Sequence, residues 1–108
     1  MIKVYIAGPL TKGDQFRNVE RALETANILL NHNLAPYCPH FSAYLHGRQP
    51  RPHDQWLRYD AVWLCVCDAL LRLDGESQGA DEEEKMARDL GISVFYSMNE
   101  LVTWAMSK

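Results

Sequence analysis

Between Cys67 and Ala87 a buried strand, a glycine-bearing loop and an acid-rich helix follow one another without interruption. Asp68 to Leu73 reads as the strand, Asp74 to Gly79 as the loop, and the helix opens directly after it. A strand that feeds a helix in this way belongs to a parallel sheet with crossover helices. Ligands of such sheets sit at strand-to-helix junctions, because the loop and the helix N-terminus direct free N–H groups into the crevice.

The rest of the chain repeats the unit. Ile2 to Ala7 is an apolar, β-branched run of the kind that forms a strand covered on both faces. Gly8-Pro9 ends it, and a helix is expected from Asp14 or Gln15 to Asn31, with Phe16, Val19, Leu23, Ala26 and Leu30 as its apolar face. Asn33 to Tyr37 reads as a short second strand. Cys38 to His53, broken by Pro39, Gly47, Pro50 and Pro52, is expected to be an irregular loop, and its aromatic residues argue for a lid or pocket wall. A second helix is expected from Asp54 to Val66, capped near His53 or Asp54. Gly91 closes the third helix, Ile92 to Tyr96 reads as the fourth strand, and Ser97 with Glu100 fits a capping box for a last helix through Ala105. The expectation is an α/β fold, a flavodoxin-like doubly wound parallel sheet of about four strands with helices on both faces, as a single domain over residues 1–108. In the order 2-1-3-4, the loops after Ala7 and Leu73 flank one crevice.

Composition narrows the partners. A chain of 108 residues with 47% hydrophobic content supports one modest core. A net charge of −3 gives no footprint for nucleic acid or an anionic membrane. No apolar run reaches spanning length, and the first eight residues read as a strand, not as a signal segment. Three cysteines, an odd number, make no disulfide framework and suggest a reducing cytoplasm. A small acidic domain gains stability by pairing, so a homo-oligomer is expected.

Two carboxylates stand out. Ala80, Glu83, Ala87 and Leu90 form the one apolar stripe of the third helix, which places Glu83 inward beside the loop while Asp81, Glu82 and Glu84 answer the helix dipole. Asp60 lies on an apolar stripe with Trp56, Trp63 and Leu64; alone, it would be taken as a structural carboxylate bonded to an indole N–H or a cap. Two such acids flanking one crevice push their pKa values apart and can divide acid from nucleophile. Ser77 and Gly79 precede the third helix, where a hydroxyl and free N–H groups suit a phosphate and equally suit a plain helix cap. The loop Gly8 to Gly13 matches neither Walker A nor G-x-G-x-x-G. Cys38, His40, His46, His53, Cys65 and Cys67 follow no zinc spacing, Asp68 is expected to hydrogen-bond at the strand start, and neither a metal nor a cofactor is expected.

Val4 to Pro9 (VYIAGP), Asp60 to Leu64 followed by Asp68, and Ser77 to Glu83 together resemble the nucleoside 2-deoxyribosyltransferase-like family, which includes 2′-deoxynucleoside 5′-monophosphate N-hydrolases. The resemblance implies a small-molecule nucleoside or nucleotide substrate and cleavage of its N-glycosidic bond. It makes Glu83 the nucleophile at C1′, Asp60 its assistant and Tyr5 a close neighbour of nucleophile and sugar. It places Gly8, Pro9, Ser77 and Gly79 against the substrate, with Ser77 on a 5′-phosphate. The family's G-[YM]-E-L-G is replaced here by Asp81-Glu82-Glu83-Glu84-Lys85, which leaves Glu82 and Glu84 as rival registers. The loop after the first strand offers only Lys12 as a cation, and the transferases' C-terminal extension is lacking, which tilts the expectation toward a hydrolase. The competing reading is a catalytically silent nucleotide-binding or sensing module of the same fold. A structural accessory protein acting through the loop at 38–53 is a third.

Overall fold

The computed structural model describes residues 1–108. Strand β1 (Lys3–Ala7) leads to α1 (Gln15–Asn31) and β2 (Ala35–Tyr37), then to a 3-10 turn (Pro39–Phe41), α2 (Ser42–Arg48) and α3 (His53–Leu64). Strand β3 (Ala69–Arg72), α4 (Gln78–Asp89), β4 (Ser93–Phe95) and α5 (Met98–Met106) complete the chain. The four strands are parallel in the order 2-1-3-4, with Tyr5 beside Tyr37 on one side and Leu70 on the other. This is the expected doubly wound sheet.

Successive residues of a strand point to opposite faces, and β1 divides accordingly. Val4 and Ile6 join Ala69 and Leu71 in an apolar core closed by Ala22, Leu29 and Leu101 of α1 and α5. Tyr5 and Ala7 face the other way, with Leu70, beneath Leu64 of α3 and Ala80 and Ala87 of α4.

The α1 face is rotated from the expected one. Phe16 is 73% exposed and Leu30 is also exposed, whereas Val19, Ala22, Thr25 and Leu29 are buried. The small Ala22 and Thr25 let the helix approach the sheet closely. Thr25 returns its hydroxyl proton to the Arg21 carbonyl at 2.8 Å, so its polar atom costs little there. Helix α3 begins at His53 and lacks a side-chain cap, because Pro52 holds the N-cap position in extended backbone. The segment after β2 is no irregular loop. A 3-10 turn opens it at Pro39 and the proline-free stretch that follows forms α2, leaving only the Pro50-bearing link to α3 irregular. Asp68 meets its expectation, accepting the Lys3 N–H at 2.8 Å and fixing the start of β3.

Two loops abut at the switch point. A Cβ on Gly8 would lie 2.9 Å from the Leu73 Cβ, and one on Gly75 would lie 2.7 Å from Pro9 Cγ. Gly75 also has φ +118°, a conformation that L side chains avoid. The two glycines bring the β1–α1 and β3–α4 loops together as the floor of a crevice.

Candidate active site

Above that floor lies a cavity of about 750 Å³. Its walls come from the β1–α1 loop, the 3-10 turn with α2, the N-terminal half of α3 and the first turns of α4. The expected pocket wall is thus found in the segment after β2, which contributes His40, Ser42, His46 and Arg51.

Glu83 is the chemical centre of this wall. It is 7% exposed, on the α4 stripe with Ala80 and Ala87, while Leu90 is exposed beyond the end of the stripe. Of the four consecutive acids, Glu83 alone lines the cavity. Glu82 turns to His53 at 3.5 Å, and Glu84 turns to Arg72, Arg88 and Tyr96. The fully buried Tyr5 lies beneath and donates its hydroxyl to Glu83 Oε2. From α3, Asp60 reaches the same carboxyl and also lines the cavity. Neither tryptophan indole bonds Asp60, and its buried Oδ1 has no hydrogen-bond partner in the chain. Trp56 instead donates to His46 Nδ1 at 2.8 Å.

The electrostatics follow from this packing. Burial pushes the Asp60 carboxyl up to about 6, opposed by its bond to Glu83 and the charge of His53. Burial pushes Glu83 up to about 8, opposed by the Tyr5 hydrogen bond and reinforced by Asp60. The two carboxyls titrate as a pair and hold one proton near neutral pH. The Tyr5 O–H favours the negative charge on Glu83, since a hydroxyl donates more strongly to a carboxylate than to an acid. Burial and the two acids hold Tyr5 far above the usual phenol range, so it remains a donor. Tyr37 stacks between Tyr5 and Trp63, with ring centroids 5.5 Å away on either side, and keeps the phenol in place.

The substrate-side residues divide. Gly8, Ser77 and Gly79 line the cavity; Pro9 does not. Pro9 is buried against Gly75, and its carbonyl accepts the His40 Nε2–H at 3.1 Å. Burial lowers the His40 pKa, so the ring is neutral, with Nδ1 as acceptor beside the Cys38 thiol at 3.6 Å. Ser77 is the N-cap of α4, its Oγ accepting the Ala80 N–H at 3.1 Å. The hydroxyl proton stays free to donate, so cap and ligand contact are compatible in one side chain. Lys12, the only cation of the first loop, is engaged by Glu76 at 2.9 Å. The Cys and His residues are dispersed: Cys65 is exposed, Cys67 is buried beside β3, and no three potential ligands gather. No helix is long and apolar enough to cross a membrane.

Sequence reasoning overlooked Trp56 as a cavity wall, helix α2 within the expected one, and Arg72 as a neighbour of α4. Ten residues without proline between Pro39 and Pro50 were the available signal for α2, and a lone arginine ending the apolar run Ala69-Leu70-Leu71 was the signal for Arg72.

Among solved structures the fold is similar to a 2-deoxyribosyltransferase from Leishmania mexicana, with a TM-score of 0.65, 16% identity, and 87% of this chain and 62% of that one covered. It is similar to a 2-deoxyribosyltransferase from Bacillus psychrosaccharolyticus, with a TM-score of 0.59, 18% identity, and 85% and 69% covered. A conserved protein from Enterococcus faecalis V583 gives a TM-score of 0.67 at 26% identity, with 87% and 61% covered. The chain therefore spans about three fifths of the length of the first and third of these proteins. At 16% and 18% identity the likeness to the two transferases is one of fold. Comparison with curated proteins by sequence gives no match. A family model described as a domain of unknown function, DUF7768, matches residues 2–97, and the chain belongs to that family.

Proposed function

We propose that this domain cleaves the N-glycosidic bond of a nucleoside or nucleoside 5′-monophosphate, with Glu83 as nucleophile and Asp60 as proton donor and acceptor. The observation that carries the reading is the buried Glu83 carboxyl, received by the Tyr5 hydroxyl, paired with Asp60 and facing the cavity. Two structurally similar proteins named 2-deoxyribosyltransferases support glycosyl transfer as chemistry this fold can host.

The arrangement fits a two-step displacement. Tyr5 holds Oε2, and the other Glu83 oxygen is the one proposed to attack. That oxygen adds to C1′ while the C1′–N bond breaks and its electron pair passes to the base nitrogen. The pair's one proton, which the higher Glu83 value places on Glu83 in the free site, has to shift to Asp60 before attack and from there goes to the departing base. The oxocarbenium-like state between bond breaking and bond making is stabilised by the adjacent carboxylate, as in retaining glycosidases. Water, or a second base in a transferase, then adds to C1′. Asp60 takes the proton of the incoming group, and the ester electrons return to Glu83.

Ser77, Gly79 and Gly8 are the proposed substrate contacts, with Pro9 acting from behind the wall. A cytoplasmic location and a homo-oligomer remain part of the proposal. Val62 and Trp63 at the end of α3 and Val66 just beyond it leave apolar surface exposed, which supports pairing. The test is base release from a panel of deoxynucleosides and their 5′-monophosphates, with and without an acceptor base, for wild type and Glu83→Ala. Release by wild type alone supports the reading, and the acceptor arm separates hydrolase from transferase. No release under any condition favours the silent binding or sensing module, against which the burial of Glu83 weighs.

A further inference from the structure

We infer that Arg72 is the positioning residue of the site: its buried guanidinium ties the β3–α4 loop to the first turns of α4 and thereby sets where Ser77 and Glu83 stand relative to the cavity. Arg72 ends β3 and is 9% exposed. One terminal nitrogen donates to the Leu73 carbonyl; the other donates to the Gly75 carbonyl and to Asp81 Oδ1, both at 3.0 Å. Its Nε stands 3.8 Å from Glu84 Oε1. From the opposite side Arg21 of α1 donates to the intervening Asp74 carbonyl. Three consecutive loop carbonyls are thus held by two arginines, one of them also anchored to the helix that follows.

The fork explains why this residue is arginine. Two loop carbonyls and a carboxylate in different directions need a planar group with several fixed donors, which a lysine ammonium does not provide. A buried cation at a strand end is costly unless its partners are complete, and here every partner belongs to the junction that carries the site. Asp81 and Glu84 line no part of the cavity, so the contact that holds α4 is separate from the face that would meet substrate. Arg72 does not line the cavity either.

The activity arm of the test rests on the proposed glycosidic chemistry, and the exchange arm does not. Arg72→Gln and Arg72→Lys are compared with wild type by amide hydrogen exchange over residues 73–80 without substrate, and by kcat and KM for base release per folded molecule. Loss of the clamp is expected to speed exchange in that loop by about tenfold or more while the β1 amides stay protected. It should lower kcat on the order of a hundredfold, with KM within about threefold, as expected of a displaced nucleophile. Arg72→Lys should recover little of either. Unchanged exchange in Arg72→Gln, a loss confined to thermal stability, or full recovery by lysine would overturn the inference. Should Arg72→Gln not fold, Asp81→Ala at the exposed end of the clamp carries the same exchange test, where an unchanged rate counts against the clamp. If wild type releases no base, exchange alone decides the role of Arg72 while the proposed reaction fails separately.

Discussion

The two faces of the sheet carry different chemistry on the same strands. Under α1 and α5 the side chains of Val4, Ile6, Ala69 and Leu71 form one apolar cluster with Ala22, Leu29 and Leu101. Under α3 and α4 the alternate residues bring Tyr5 against Glu83 and Arg72 against Asp81 and Glu84. One residue of register separates the two environments, which is the period-2 geometry of a strand used to divide stability from chemistry. Buried ionisable groups destabilise a small domain, so the dry face has to supply the stability that the polar face lacks.

Three substitutions and a titration would break or sharpen this division. The largest effect is expected for Glu83→Ala, which should cut base release by about a thousandfold or more, since it removes the attacking atom. The same variant removes a desolvated carboxyl but leaves the buried Tyr5 hydroxyl without its acceptor, so the two effects offset and thermal melts should move little. Leu29→Ala, on the dry face, should do the reverse. It should cost about 3 kcal/mol of unfolding free energy in denaturant titration and leave kcat per folded molecule intact. A large kcat loss there would show that the faces are not separable. Tyr5→Phe should lower kcat/KM by about tenfold to a hundredfold. The wild-type pH–rate profile should be a bell with limbs near the pair's values of about 6 and about 8. Removing the phenol donor makes the pair hold its proton to higher pH, so the basic limb of Tyr5→Phe should move upward.

The smallest effect is on stability against pH. Both carboxyls have folded-state values raised above their unfolded ones, so the folded protein binds more protons than the unfolded chain between about pH 4.5 and about pH 8. Stability should therefore be greatest on the acid side of this window and decline as pH rises through it, seen as a lower Tm at pH 8 than at pH 5. Glu83→Gln should flatten most of that slope in melts at pH 5 and pH 8. An unchanged slope would place the buried proton elsewhere.

The fold was legible because its signals are local. Continuous apolar runs mark β1 and β3, Ser77 and Ser97 occupy the expected N-caps, and Gly91 follows the end of α4 with φ +75°. The stripe of Ala80, Glu83 and Ala87 likewise brought one acid of four to the cavity. Nonlocal features were harder to see. The α1 contact line runs through Ala22 and Thr25 because close approach to the sheet favours small residues, and periodicity of large apolar residues points to its flank instead. Helix α2 buries no residue, so it has no apolar stripe to announce it. Arg72 carries no pattern of its own, since its partners are mainly main-chain carbonyls that any sequence could supply.

Covalent trapping tests the central claim most directly. Wild type and Glu83→Ala would be incubated with 2′-deoxy-2′-fluoro analogues of whichever nucleoside or nucleotide loses its base, since fluorine at C2′ slows resolution of the ester. Intact mass and peptide mapping would then locate the adduct. A single glycosyl adduct on the peptide bearing Glu83, absent from Glu83→Ala, is the predicted result. Base release without an adduct, or an adduct on Asp60, Glu82 or Glu84, would contradict the account.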